Sequence, residues 1–369
     1  MTGAIRRILF LSHSHPFGPF RVGSHHYARV LAQRGVEVVH VSTPLSLAHR
    51  VTGRVDRATV DVLPRGPYRD AEGITHLVPR TLLPAPLGRF RVARELGRRG
   101  ISPRFNAVVI DQPLLWDSSV RALAPRLVYR PTDAYPGGVK AALQRRIIAA
   151  ADGVVATSAE VLRELGAVRV PTLVLENGVD AARFTTSADT ARGAVCVYVG
   201  ALDDRFDWQR VDAWARANPE VTFTIAGPDA RPPAELPSNV DLRGPVAYDA
   251  LPALLQGARV GLLPLSDDPL NAGRSPMKLY EYLAAGLAVV SRATPVLRAD
   301  DGAGVFTYAG ARDADAALVC ALAHISPNAA GVSRAAGAGW EAKAAALVGF
   351  VEGLPVRGLS LIHISEPTR

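Results

Sequence analysis

Several things are scarce in this chain. Only two cysteines occur in 369 residues, Cys196 and Cys320, far apart and in apolar surroundings. That supplies neither a disulfide framework nor a zinc-ligand spacing, and it reads as two buried thiols in a reduced compartment. No apolar run reaches the roughly 20 residues that a membrane-spanning helix needs. The opening MTGAIRR leads straight into a strand, so no secretory signal is expected. No repeat of solenoid period is evident. The first strand–loop–helix unit lacks G-x-G-x-x-G, since its loop holds only Gly18 and Gly23, so a dinucleotide fingerprint is not supported. With no RNA-binding signature and no basic–aromatic stripe, nucleic acid is not an expected partner.

What is present describes a globular chain. It is 48% hydrophobic and 21% charged, and its length suits two domains of about 150–200 residues. The net charge of +8 is uneven: residues 1–189 hold 26 Lys/Arg against 15 Asp/Glu (+11), and residues 190–369 hold 16 against 19 (−3). A basic first half predicts that one domain faces an anionic surface or acceptor. Residues 82–104 concentrate that charge, with Arg89, Arg91, Arg94, Arg98, Arg99 and Arg104 among Leu82, Leu83, Leu87, Phe90 and Val92. Such a stretch suits an anionic membrane face, and equally a solvated helix of an arginine-rich chain.

Along the chain, apolar runs alternate with helical patterns. RILFLS reads as a buried strand, the segment from Ser24 to Arg34 as a helix ended by Gly35, and VEVVHVS as a second strand. This is a βαβ opening and hence a parallel sheet. FNAVVIDQP and RLVYRPTDAYPG are further strands, with Asp111 and Asp133 near their carboxyl ends, where α/β sheets gather ligands. The turn Asn177-Gly178-Val179-Asp180 precedes a small, polar linker near 185–193. VCVYVGALDDRFDW then opens a second domain, in which Gly200 permits close backbone approach to a ligand. VTFTIAGP, NVDLRGPV and ARVGLLPL follow as strands, and a helix begins at Trp340. His13, His15, His25 and His26 crowd the first loop, but no third ligand or second shell marks a metal site, and no metal is expected.

The most informative stretch is Asn271–Ser291, NAGRSPMKLYEYLAAGLAVVS. Ser275 suits an N-cap and Pro276 the first helical position. The amides of Met277 and Lys278 then lie at the positive end of the helix dipole, a ready anion site to which Lys278 adds a full charge. Lys278 and Glu281 share one face; Leu279, Tyr282 and Leu283 take another that can pack on a sheet. Gly286 sits where a C-terminal cap belongs, and a buried strand follows. A cation and open amides suit a diphosphate, and a carboxylate one turn on suits sugar hydroxyls; an ordinary helix with an exposed Lys–Glu pair fits the spacing as well.

S-P-x-K-L-Y-E-Y-L-A-A-G-x-x-V-V resembles the donor-site helix of the GT-B glycosyltransferases, and is similar to that of bacterial exopolysaccharide transferases such as the xanthan glucuronosyltransferase. The resemblance extends over nearly the whole chain. It implies an α/β fold of two Rossmann-like domains with parallel sheets facing across a cleft: an acceptor domain over 1–187, completed by a crossing helix at 340–356, and a nucleotide-sugar domain over 188–339. The tail 359–369 differs in composition and is expected to be extraneous. The resemblance further implies a UDP- or GDP-linked donor sugar, a glycan or lipid-linked acceptor, no cofactor or metal, and a role in cell-surface polysaccharide synthesis. The expected location is cytoplasmic, with peripheral contact at the inner membrane face.

The same resemblance carries the site. Lys278 would stabilise the leaving diphosphate, and Asp133, at the position of the xanthan-type base, would take the acceptor proton in an inverting reaction. Ser275, Pro276, Met277 and Glu281 would line the donor, Gly200 its phosphates, and Pro245 and Val246 its base. Asp180, Gly23 and His26 (or His25) would complete the substrate contacts. The family-4 pattern has two Glu eight residues apart; Glu281 matches the second, and the first falls at Gly273. Arg205 is the candidate for a second phosphate cation. The alternatives are a nucleotide-sugar 2-epimerase of the same fold, or a non-catalytic GT-B partner protein.

Overall fold

The computed structural model describes residues 3–356 apart from 19, 49–62, 86, 88–89, 186–191, 229 and 325–326. The expected tail at 359–369 and most of the expected linker lie outside these residues. The chain divides into two units. The first comprises Met1–Ala156, Leu165–Leu175 and Ala344–Arg369; the second comprises Thr157–Glu164 and Glu176–Lys343. The second unit thus begins earlier than residue 188 and also takes in a short helix, Ala159–Glu164.

In the first unit eight strands form one sheet. Its order is Thr172–Val174, Gly153–Ala156, Arg126–Tyr129, Ala107–Ile110, Arg7–Ser12, Glu37–Ser42, Thr75–Leu77 and Tyr68–Arg69, and only the last strand is antiparallel. The central strands are continuous apolar runs because both faces are covered; Ile8, Leu9, Phe10 and Leu11 are all buried. The helix Gly23–Gln33 starts one residue before expectation and ends with Gly35 at φ 80°. The terminal helix Trp340–Gly353 counts with this unit from Ala344 onward. Its Phe350 ring lies 2.8 Å from where a Cβ on Gly153 would stand.

The second unit holds six parallel strands in the order Val240–Gly244, Thr222–Ala226, Val195–Val199, Val260–Leu263, Ala288–Arg292 and Val305–Tyr308. Numbered along the chain this is 3-2-1-4-5-6, the doubly wound order, with its switch between the first and fourth strands. Two apolar clusters cover the two faces, one centred on Trp214 and Phe223, the other on Leu279, Tyr282 and Leu283. Cys196 is buried as expected. Cys320 is exposed, which corrects the reading of two buried thiols; it lies on the solvent side of the helix Ala311–Ala323.

Candidate functional site

The site in the second unit starts at the sheet's switch point, where ligands of doubly wound folds bind. Gly200 follows the first strand, and its N–H donates to the carbonyl of Ala226 (2.9 Å). A Cβ on Gly200 would stand 2.3 Å from Cε and 2.5 Å from Nζ of Lys278, so only glycine lets the lysine lie along this backbone. On the neighbouring strand end, a Cβ on Gly227 would fall 1.8 Å from the Gly200 carbonyl oxygen. Two glycines therefore make a floor of bare backbone.

The helix Met277–Ala284 stands over this floor. Its N-cap is Pro276, with ψ 125°, and not Ser275. The Ser275 hydroxyl instead accepts the N–H of Asn177 (3.3 Å), while the Asn177 amide donates to the Ser275 carbonyl (2.8 Å). Ser275 thus ties the N-G-V-D turn to the helix start. The amides of Met277 and Lys278 open the helix, where no preceding turn takes them. At the far end Leu287 N–H reaches the Tyr282 carbonyl and Gly286 N–H the Leu283 carbonyl, both at 2.9 Å, with Gly286 at φ 74°. This is a Schellman cap, and it corresponds to the expected glycine stop. Tyr282 anchors the helix to the sheet, packing on Gly261 and accepting the N–H of Val199 at 3.0 Å.

The Lys–Glu pair is not an ordinary exposed one. Glu281 is buried, and its carboxylate accepts a hydrogen bond from the Tyr248 hydroxyl. Burial raises its pKa, opposed by Lys278 and Tyr248. Lys278 is half-buried, with Nζ 5.6 Å above the Tyr198 ring. Loss of water lowers its pKa first, and the charge of Arg274 lowers it further. An anion beside an ammonium that burial and a second cation push toward neutrality would relieve it.

Two partners of this site were not singled out from the sequence. Arg274 weighs on Lys278 more than Arg205 does. Arg205 is held by the Asp203 carboxylate through Nε (3.1 Å) and a terminal nitrogen (2.5 Å). Arg274, four residues before Lys278 in the same stretch, is therefore the second cation that acts most on Lys278. Tyr248 lies two residues past the G-P-V turn, where Gly244 has φ 62°, Pro245 is exposed and Val246 half-buried. The Arg183 guanidinium sits 5.1 Å over the Tyr248 ring and 3.9 Å from the Asp180 carboxylate, which connects Asp180 to the group around Glu281. Gly273 is buried: its Cβ would stand 2.8 Å from Val161, and its carbonyl accepts from the Ser158 hydroxyl at 2.8 Å. A glutamate there has no room without displacing Val161.

In the first unit, Asp133 follows the strand Arg126–Tyr129, is half-buried, and accepts from the Thr132 hydroxyl at 3.1 Å. Asp111 is buried in a polar chain rather than open to a ligand. Ser12 lies 3.4 Å from it, Ser24 2.7 Å from Ser12, His40 3.1 Å from Ser24, and Arg130 3.8 Å from Asp111 on the other side. Burial pushes Asp111 up to about 7 against the pull of Arg130. Gly23 opens the first helix, and His26 on it is buried. His25 is engaged internally: Nδ1 accepts the Val22 N–H (3.2 Å) and Nε2 meets the Ser14 carbonyl (3.1 Å). Among the described residues no group of three His, Cys, Asp or Glu is placed to hold a metal ion.

Two doubly wound α/β units, one with glycine floor, helix amides and a lysine at its switch point, define an architecture of the GT-B class. Residues 193–325, within the second unit, match the family described as Glycosyl transferases group 1. The chain is 30% identical over 169 residues to TuaH of Bacillus subtilis, named for teichuronic acid biosynthesis as a glycosyltransferase. That match covers 41% of this chain and 42% of that relative's length. Among solved structures, Anabaena HepE in complex with UDP and glucose superposes with TM-score 0.67 at 17% identity, over 95% of this chain and all of that one. A trehalose-phosphate synthase of Burkholderia xenovorans, in complex with glucose-6-phosphate, superposes with TM-score 0.67 at 14% identity, over 94% and all of that chain. These likenesses establish the fold.

Proposed function

We propose that the protein is a glycosyltransferase that moves a sugar from a nucleotide-diphosphate sugar to a glycan or lipid-linked acceptor in cell-surface polysaccharide synthesis. The observation that carries this reading is Lys278 against the glycine floor at Gly200, at the start of a helix, with the charge of Arg274 acting on it. The likeness to HepE, a protein that binds UDP and glucose, favours UDP over GDP as the carrier. The diphosphate lies along the helix start, against the amides of Met277 and Lys278. The Glu281–Tyr248 pair receives hydroxyls of ribose or sugar, and the backbone at Pro245 and Val246 meets the base. As the glycosidic bond breaks, negative charge grows on the leaving diphosphate, and Lys278 and Arg274 stabilise it without a metal. Asp133 takes the acceptor's proton if the reaction inverts. The likeness to TuaH, named for teichuronic acid biosynthesis, supports a glycan product.

The test is titration with UDP and UDP-glucose by calorimetry, followed by product analysis with and without acceptor extracts. Micromolar-range UDP binding and acceptor-dependent sugar transfer are expected. Donor turnover to an epimer without acceptor points to the 2-epimerase, and binding without any turnover to a non-catalytic partner. No nucleotide binding refutes the whole reading. Asp133→Asn should keep UDP affinity and lose transfer by about 10²–10⁴-fold; an active Asn variant removes Asp133 from the mechanism.

A further inference from the structure

The first unit contains a groove that the transfer reaction leaves without a task. Arg80–Thr81 pairs in parallel with Leu45–Ser46 as a two-stranded ribbon, and the chain then leads to the helix Val92–Arg98. Between ribbon and helix is a cavity of about 540 Å³, lined by Arg80, Leu82, Leu87, Arg91, Arg94 and Arg98 among others. That volume is within the usual range for small-molecule sites. Leu82 is 76% exposed, Leu87 72% and Leu83 51%. Leu47, next to Ala48 whose N–H reaches the Leu82 carbonyl, is also exposed. A contiguous apolar patch rimmed by charge marks an interaction site.

The groove is held in shape from beneath. The Thr81 hydroxyl donates to the Leu83 carbonyl (2.8 Å), and Ala48 N–H to the Leu82 carbonyl (3.3 Å). Val92 and Leu96 are fully buried, which fixes the helix and leaves Arg91, Arg94 and Arg98 exposed. Glu95, the acid in the lining, is engaged by Arg99 at 2.9 Å. Among the described residues no carboxylate pairs with Arg91, Arg94 or Arg98. Arg80 gives one N–H to the Leu63 carbonyl (3.2 Å), and among the described residues no carboxylate pairs with it.

We propose that this groove docks a phosphate-bearing lipid of a membrane surface. The proposal deepens the reading of a lipid-linked acceptor and rests on it. Charge complementarity selects the occupant: the arginines bind headgroup phosphates bidentately, while Leu47, Leu82, Leu83 and Leu87 enter the acyl layer. Among the described residues no helix is long and apolar enough to cross a membrane, so the contact is a surface one.

The experiment is co-sedimentation of the full chain with vesicles of phosphatidylcholine alone or mixed with phosphatidylglycerol, at low and high salt. Binding to the mixed vesicles, much weaker binding to the neutral ones and loss at high salt are expected, because salt shortens the reach of these charges to a few ångströms. Each of Arg91→Ser, Arg94→Ser and Arg98→Ser should weaken binding about fivefold. Leu82→Ser with Leu87→Ser should weaken it at least about tenfold. All five positions are exposed, so the variants should keep the parent Tm. No binding at low salt, equal and salt-independent binding to neutral vesicles, or full binding by the triple arginine variant would overturn the proposal. Complete displacement by inorganic phosphate with no effect of the leucine changes would also overturn it, since the site would then be one for free phosphate. Capture of an acidic protein with no vesicle binding overturns it likewise. UDP affinity, measured on the same samples, keeps the two claims apart: vesicle binding without UDP binding refutes the transferase reading, and UDP binding without vesicle binding refutes the groove.

Discussion

Removing the Lys278 amine is the sharpest perturbation of the donor site. Burial and Arg274 hold its pKa below the ordinary lysine value. A diphosphate beside it favours the charged form and raises that pKa. Binding is therefore coupled to proton uptake wherever the free site is partly deprotonated. The sign follows directly: the bound state holds more protons than the free state, so affinity falls as pH rises through the lowered pKa, by at most tenfold per pH unit. The lost contact is a charge-assisted hydrogen bond of roughly 1.5–3 kcal/mol, so Lys278→Met should weaken UDP binding about 10- to 150-fold at neutral pH. Calorimetry in two buffers of different ionisation enthalpy reads both quantities. Wild type should take up a fraction of a proton per UDP above neutral pH, and Lys278→Met should take up none from this position. A variant that binds UDP within a factor of two of wild type, together with no proton uptake by wild type, refutes the argument.

Further predictions concern the floor and the first unit. Gly200→Ala places a Cβ 2.5 Å from the Lys278 Nζ and should reduce UDP affinity while the far-ultraviolet circular dichroism stays unchanged; unaltered affinity would mean the lysine does not need this backbone. Gly227→Ala meets a backbone carbonyl at 1.8 Å, which cannot swing aside, and should lower stability by roughly 1–3 kcal/mol in denaturant unfolding; a neutral result contradicts the close approach. Asp111 has its folded pKa raised to about 7 from 3.8. The folded state then holds an extra proton between those values, so this group's share of stability is present below pH 3.8 and declines as pH rises to about 7. That share is at most about 4 kcal/mol, and Asp111→Asn should flatten the stability–pH curve over this window; an unchanged slope assigns the pH dependence elsewhere.

The sheets were legible in the sequence because strands covered on both faces are written as unbroken apolar runs, as in RILFLS and VCVYV. The helix at 277 was legible from its apolar stripe and from Gly286, whose positive φ only glycine adopts freely. Its exact start was not, because the Ser275 hydroxyl is drawn off by an amide almost a hundred residues earlier in the chain, at Asn177. Cap rules consider only neighbours in sequence. Tyr248 escaped notice for the same reason: a tyrosine after a turn has no local signal, and its bond to Glu281 exists only once the strand Val240–Gly244 and the helix Met277–Ala284 belong to one sheet layer. Arg274 stood within the recognised motif, but nothing in the spacing shows that Asp203 ties up Arg205. The expected boundary near 188 followed composition, whereas the chain joins the second unit at Thr157 and again at Glu176.

That double entry bears on how the chain can be cut. Ser158 and Val161 belong to the second unit and close on Gly273, three residues before the cap of the helix Met277–Ala284. A gene fragment beginning at Glu176 would lack both side chains and leave a hole beside Gly273 and the Lys278 helix. One beginning at Thr157 would keep them, but it would carry Leu165–Leu175, including the edge strand Thr172–Val174 of the other sheet, as an unpaired passenger. Each choice has a distinct cost, a cavity in one case and a sticky strand edge in the other. The second unit is thus contiguous in space but not in sequence, and domain swaps between related chains should be joined before Thr157 and after Lys343, with the passenger strand exchanged along with it.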